Sequence, residues 1–288
     1  LANYPAASTI RRKTTVTPIN PAAIDQADGG GIRVASLAAI QRYRIDIMHP
    51  LVDGDAVDAL MGFWAAYQDQ QIAIVRGSRM VYLAPFVNEP EIEEITGTYY
   101  NVKLRLEGRR IPSVMPAGYG HFETSPSVTV SAGDATASFD TAVAKFGAQS
   151  LKLTKNTTDA VATSIHLAAG ATTYNTTLTA NRKWLLVASL RMSVARTIDF
   201  SLRLSDGSYI SGGTSYTPAA VDTWYRAARI LDASASALVA GHVRFSWSSA
   251  AAATETLRLD GVTLFDVTDY TDDITESTFP TIYMPPEP

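Results

Sequence analysis

The chain has no cysteine. That excludes disulfides, thiolate metal centres and cysteine nucleophiles, and it fits a protein folded in a reducing cytosol. No apolar run approaches the roughly 20 residues of a membrane-spanning helix, so the expectation is a soluble protein with no membrane span. Excess charge of either sign is also scarce: 24 Lys and Arg stand against 28 Asp and Glu, a formal net charge of −4. Such a chain lacks the basic field that nucleic-acid readout requires. Histidine is restricted to His49, His121, His166 and His242, scattered without metal-ligand spacing. There is no GxSxG elbow, no HExxH pair and no Walker loop, and Gly29-Gly30-Gly31 lacks the Lys-Ser/Thr of a phosphate loop. A carboxylate pair for glycoside cleavage is a matter of spatial separation, and the sequence nominates none. The expectation is a protein that is not an enzyme and carries no cofactor.

What the chain does have is alternation. Hydrophobic residues are 46% and charged ones 18% of 288 residues, enough for two domains with their own cores. In Trp184–Met192 the even positions Trp184, Leu186, Ala188, Leu190 and Met192 suit a core. Ser189 and Arg191 suit water, although Leu185 and Val187 blur the pattern. Val243, Phe245 and Trp247 alternate with His242, Arg244 and Ser246. Several such stretches between Gly/Ser/Asn/Asp turns predict an antiparallel β-sandwich or jelly roll.

The first part reads differently. Leu1–Ile32 looks irregular, Ile32–Ile47 looks extended with Tyr43, Ile45 and Ile47 alternating, and Pro50 is expected to end that run. Asp53 then suits an N-cap, with Asp55 and Asp58 in or near the first turn of a helix whose stripe is Val57, Leu60, Met61, Trp64 and Tyr67. A calcium loop at Asp53–Asp58 lacks the required spacing and closing Glu. Gln71–Val75, Met80–Leu83 and Tyr99–Leu106 read as strands, and acidic Asn88–Gly97 as an exposed β-arm. The proline- and glycine-marked stretch to Gly118 predicts a linker. Asp266–Pro288 is acidic with no Lys or Arg and predicts an arm, either solvated or docked on a neighbouring subunit.

Two resemblances sharpen this reading. The order Phe146-Gly147-Ala148-Gln149-Ser150-Leu151, then Asp222-Thr223-Trp224-Tyr225-Arg226, then Leu257-Arg258-Leu259-Asp260-Gly261-Val262 resembles jelly-roll carbohydrate-binding modules appended to glycoside hydrolases. His49-Pro50-Leu51, Phe63-Trp64, Gln70–Ile74 and Tyr100–Leu106 resemble the N-terminal domain of bacteriophage distal tail and tail-tube proteins. Together they imply a mainly β chain. A tail-tube-like sandwich with one flanking helix would span 1–112, a linker 113–118, a carbohydrate-module-like jelly roll 119–268, and an acidic arm 269–288.

The resemblances imply a ring-forming component of a phage tail tip or baseplate, linking tail tube to adsorption apparatus as a homohexamer. Its partners would be the tail tube and hub, and its outward module would meet host-surface polysaccharide. Its location would be the virion tail, assembled in the host cytoplasm. The alternative is a freestanding or enzyme-appended noncatalytic carbohydrate-binding protein.

Saccharide recognition needs aromatic faces flanked by polar groups. The alternation puts His166, Arg191, Arg203, Tyr225, Arg229, His242 and Arg244 outward, and Tyr209 and Tyr216 in glycine-containing loops. Trp184, Trp224 and Trp247 are expected inward. The module resemblance also implies a structural calcium held by Asp260 with oxygens from around Glu123, whereas a turn-forming Asp-Gly remains open as the competing reading.

Overall fold

Alternation of apolar and polar side chains builds most of this molecule, which the computed structural model describes over residues 13–19, 22–26, 32–36, 42–76, 80–115, 118–132, 134–157, 163–167, 178–211, 215–237, 240–247, 252–268 and 281–284. The fold is mainly β, with one helix among the described residues. None of the described helical structure is long and apolar enough to cross a membrane. The chain divides into two units, Leu1–Ile111 with Phe279–Pro288, and Pro112–Thr278.

The first unit contains β1 (Lys13–Ile19), β2 (Ala22–Gln26), β3 (Ile32–Ser36), β4 (Arg42–Val52), α1 (Gly54–Tyr67), β5 (Ile72–Arg76), β6 (Met80–Ala84), β7 (Glu91–Thr96), β8 (Tyr99–Pro112) and the last strand, β19 (Thr281–Met284). Seven of them form one sheet in the order β1-β4-β8-β6-β5-β19, with β7 also paired to β8, while β2 and β3 form a separate hairpin. Ile45 and Ile47 lie opposite Leu106 and Leu104, and this apolar face packs with Leu60 and Phe63 of α1. Asp53 caps the helix: its Oδ1 accepts the Ala56 N–H at 2.9 Å, which leaves the acids here in a capping role.

Three expectations change in this unit. The stretch expected to be irregular contains β1 and β2, whose short β-prone runs were hidden by Pro18 and Pro21. Pro50 does not end its strand. It lacks an N–H, so the ladder slips between His49 and Val52, and Leu51 takes a positive φ of 53° with its N–H donated to Asn101 Oδ1. Finally, within the segment expected as an acidic arm at 269–288, Thr281–Met284 form β19, parallel to β5 with Ile282 opposite Ile74. Residues 269–280 and Gly29–Gly31 lie outside the described residues. The acidic β7 is exposed along its whole length, as expected of an arm.

The second unit holds β9 (Thr129–Ala132), β10 (Ala135–Asp140), β11 (Ser150–Lys155), β12 (Thr163–His166), β13 (Lys183–Met192), β14 (Ile198–Leu204), β15 (Tyr209–Ser211), β16 (Tyr225–Asp232), β17 (Ala240–Trp247) and β18 (Thr256–Asp266). They form two five-stranded sheets, β10-β11-β18-β13-β16 and β15-β14-β17-β12-β9. This is the jelly-roll sandwich. Trp184, Leu186, Leu190, Leu257 and Leu259 of the first sheet join Ile165, Phe200, Leu202, Phe245 and Trp247 of the second in one buried core. Each large side chain there contributes about 2–3 kcal/mol by leaving water.

Trp184 and Trp247 are core residues, but Trp224 precedes β16 and is only half-buried. Leu185 and Val187 are buried as well, as are Ala228, Ile230 and Phe265 on the same side of the sheet. Both faces of β13 are therefore apolar at its start, which is why its alternation blurs. The segment expected as a linker begins as part of this unit. Val114 N–H donates to Leu264 O at 2.8 Å, and Ser113 Oγ accepts the Leu264 N–H at 3.2 Å, along the flank of β18 beyond the β11 pairing.

Removing residues 279–288 would expose the backbone edge of β5. The transition of the first unit should fall by on the order of 5 °C, equivalent to about 1 kcal/mol, while that of the second unit stays in place. Differential scanning calorimetry of the shortened and full chains reads both. An unmoved first transition would contradict a stabilising β19.

Candidate functional site

The side of β12, β14, β15 and β17 turned away from the core is polar at every second residue. Antiparallel register assembles these residues into rows across the sheet. Tyr209, Arg203 and His242 are successive partners in one row. Ser201, Arg244, His166 and Thr129 form the next, and Asp199, Ser246 and Ser164 a third. Strand spacing of about 4.8 Å puts side chains of adjacent strands within contact.

The aromatic residue at the centre of the contacts is Tyr209. The Arg244 guanidinium lies 4.6 Å from its ring centroid and Arg203 5.9 Å, both at cation–π distance. Tyr209 Oη is 3.1 Å from His166 Nε2. The rings of His166 and His242 are 4.5 Å apart. Arg244 donates to Ser164 Oγ and, at 3.4 Å, to Ser246 Oγ, and those two hydroxyls are 3.3 Å from each other. Tyr209 is 40% exposed, whereas both histidines are fully buried. The face thus presents an accessible aromatic ring on a fixed floor of imidazoles, guanidinium and hydroxyls.

The floor is electrostatically one-sided. Burial pushes the His166 imidazolium down to about 4, and the neighbouring His242, Arg244 and Arg203 push the same way. His242 is likewise held at about 4 by burial and then by Arg203. Both rings are neutral at pH 7. Asp199 belongs to the same face but is exposed and accepts from Ser215 Oγ.

The nine residues expected at a saccharide site divide into three places. His166, Arg203, Tyr209, His242 and Arg244 share the face just described. Arg229 stands opposite Leu186 on the core side of β16, 5.7 Å from the Phe200 ring and 5.5 Å from Tyr216, and donates to Ala228 O and Ser215 O. Tyr225 stands opposite Leu190 on the same side, and burial pushes the Tyr216 hydroxyl up to about 12. Arg191 lies on the far side of the other sheet beside Asp222 at 3.5 Å.

The alternation was expected to expose His166, His242 and Arg229, and all three are buried. Period two fixes which side of a sheet a residue takes, but longer neighbours decide its exposure. Ser164, Ser201 and Ser246 were missed, although the same alternation that carries His166, Arg203 and Arg244 includes them.

Asp260 and Glu123 form a separate structure. Asp260 Oδ2 accepts the N–H groups of Lys145 and Phe146 at 2.8 Å each, and Oδ1 accepts that of Gly261 at 2.7 Å. The Glu123 carboxylate accepts from Ala148 and Gln149. A hard cation would want several oxygens, yet these carboxylates face N–H donors. Among the described residues no group of three His, Asp or Glu is placed to hold a metal. The pair does not fit the expected calcium. It fastens the 145–149 turn to β18 and to the start of the unit. Gly261 has φ +56°, and a Cβ there would stand 2.6 Å from the Phe146 ring. Burial raises the Asp260 carboxyl to about 6, opposed by its three amide donors and helped by the Glu123 charge.

No family model matches the sequence, and no curated protein matches it. Solved structures similar to the chain include the CBM22-1 xylan-binding domain from Paenibacillus barcinonensis Xyn10C, at 15% identity and TM-score 0.36 over 49% of this chain and 86% of that one. TmCBM61, solved in complex with beta-1,4-galactotriose, is 12% identical with TM-score 0.37 over 52% and 97%. The enzymatically active domain of Bacteriophage CBA120 tailspike protein 4 is 17% identical with TM-score 0.40, over 54% of this chain and 21% of that one.

Two outcomes are expected. The histidines titrate near 6.5 when unfolded but near 4 when folded, so the folded state binds fewer protons between those values. Their stability contribution is complete above pH 6.5 and is lost as pH falls toward 4. Asp260 acts with the opposite sign, favouring the fold at acid pH and losing that contribution as pH rises through 6. Melts of the second unit should therefore weaken from pH 6.5 to 4.5, and the double variant His166→Gln, His242→Gln should flatten or reverse that slope. An unchanged slope would contradict the assignment. Asp260→Ala should cost about 3 kcal/mol through three lost charged hydrogen bonds, and EDTA should leave the wild-type melt unmoved. A drop on chelation that calcium restores would overturn the donor-set argument.

Proposed function

We propose that the second unit is a noncatalytic saccharide-binding module, and that the chain as a whole is a structural component of a phage tail tip or baseplate. The observation that carries the binding reading is Tyr209, exposed in front and held by Arg244 and His166 behind. The apolar face of a pyranose packs on such a ring while its hydroxyls meet flanking donors and acceptors. The far side of the other sheet buries Leu185, Val187, Ile230 and Phe265, which favours the Tyr209 face as the ligand surface. On that face Asp199 is the carboxylate among the described residues, and glycoside cleavage needs a pair; this supports a noncatalytic role.

The tail-tip reading is supported by the order of parts, a sheet unit with one flanking helix followed by a jelly roll. In that reading the first unit forms a six-membered ring between the tail tube and the adsorption apparatus. Six copies of the Tyr209 face, each weak, would then bind host-surface polysaccharide by avidity.

Affinity electrophoresis of the full-length chain against a panel of bacterial and plant polysaccharides tests the first part. At least one polymer should retard the protein, and Tyr209→Ala should weaken that binding about tenfold while the second unit still melts cooperatively. Undiminished retardation of the variant would sink the site. Electron microscopy of the concentrated full-length chain tests the second part: six-fold rings are expected, and a uniform monomer would contradict ring formation.

A further inference from the structure

Several arginines of this chain meet acids. Arg44 pairs with Glu107, Arg105 with Asp46, Arg191 with Asp222, Arg196 with Glu255 and Arg258 with Asp140. Arg244 is different. Its contacts are the hydroxyls of Ser164 and Ser246 and the ring of Tyr209, and no carboxylate faces it among the described residues. Its neighbours in register are Ser201 and His166. Ser201 Oγ is buried on this same face with no hydrogen-bond partner among the described residues. Arg203 stands one row away over the same tyrosine.

We infer that the ligand of this face is an acidic saccharide, one bearing carboxylate, sulfate or phosphate groups, with Arg244 as the residue that receives the anion. The inference rests on the saccharide-binding reading of the same face and names its substrate class. A neutral sugar laid over Arg244 would strip water from a half-buried guanidinium without supplying a counter-charge, which is costly. An anionic group supplies that charge and accepts paired N–H donors in the fork geometry arginine offers. The two serines and the tyrosine ring already hold the guanidinium in place, so little side-chain freedom is lost on binding. Ser201 Oγ supplies a further donor beside it. The two imidazoles are lowered first by burial and then by positive neighbours, Arg203 at both and Arg244 at His166, which marks the surroundings of Arg244 as positive. The whole chain carries a formal charge of −4, so general attraction to polyanions would not mimic this selectivity.

Matched polymers make the test. The full-length chain is titrated calorimetrically with dextran and dextran sulfate, with polygalacturonate and its methyl ester, and with a phosphomannan beside the same mannan stripped of its phosphate side groups. At least one acidic member should bind about tenfold or more tightly than its neutral partner, and the pair that shows it identifies carboxylate, sulfate or phosphate. Arg244→Gln should abolish that preference, and raising salt from low to high should erode it. Should Arg244→Gln fail to fold, Arg244→Lys, which keeps the charge but loses the planar fork, together with the salt series on the wild type, decides the matter. Equal binding of neutral and acidic partners, or a preference that survives loss of Arg244, overturns the acidic assignment and leaves the saccharide site standing. No binding of any polymer overturns both.

Discussion

The second unit depends on register. Trp184, Leu186, Phe200, Phe245 and Trp247 fill one core between two sheets, and burying them fixes which residue of each strand faces outward. A slip of one residue in β14 or β17 would drive Arg203 or Arg244 into that core and Leu202 or Val243 out of it. The cost of several kcal/mol for each misplaced group is what holds three rows of polar side chains in line on the opposite side. The proposed binding surface is thus a by-product of hydrophobic packing, positioned by residues that never touch a ligand.

That surface stores unfavourable electrostatics. Two imidazoles kept neutral by burial lie beside Arg203 and Arg244, and among the described residues no carboxylate receives Arg244. Two other charged pairs of the unit are neutralised closely: Arg258 meets Asp140 with both side chains only 12% exposed, and Glu255 accepts both Arg196 and the Ala252 N–H. The contrast within one domain is informative, because strain of this kind is concentrated where proteins bind.

Much of the fold could be read from the residues. The clean alternation of Val243, Phe245 and Trp247 with His242, Arg244 and Ser246 gave strand and facing at once, and Asp53 announced the start of α1 through its capping chemistry. The candidate site was legible only by halves. Alternation put His166, Arg203, His242 and Arg244 outward, while Tyr209, which lies in β15, read as a loop residue; the pattern could not tell that side from the core-facing one where Arg229 and Tyr225 sit, since all carry polar atoms at strand spacing. The pairing of His166 with His242 arises from strand order in space, which no local pattern encodes. β19 was obscured for a similar reason: its partner β5 lies near the other end of the chain, and the surrounding acids suggested solvent. Asp260 misled in the opposite sense. Its position matched a metal ligand, whereas its oxygens are spent on the amides of a turn.

The account stands or falls on whether a ligand meets the Tyr209 face. Nuclear magnetic resonance of the full-length chain, with tyrosine and histidine rings isotope-labelled, reads that contact directly during titration with the polysaccharide fragment that binds best. The account predicts that the Tyr209 ring and the His166 and His242 imidazoles shift together and saturate at one ligand concentration, while Tyr82 and His49 in the first unit stay still. Saturable shifts that leave Tyr209 and both imidazoles unmoved would place the ligand elsewhere and contradict it.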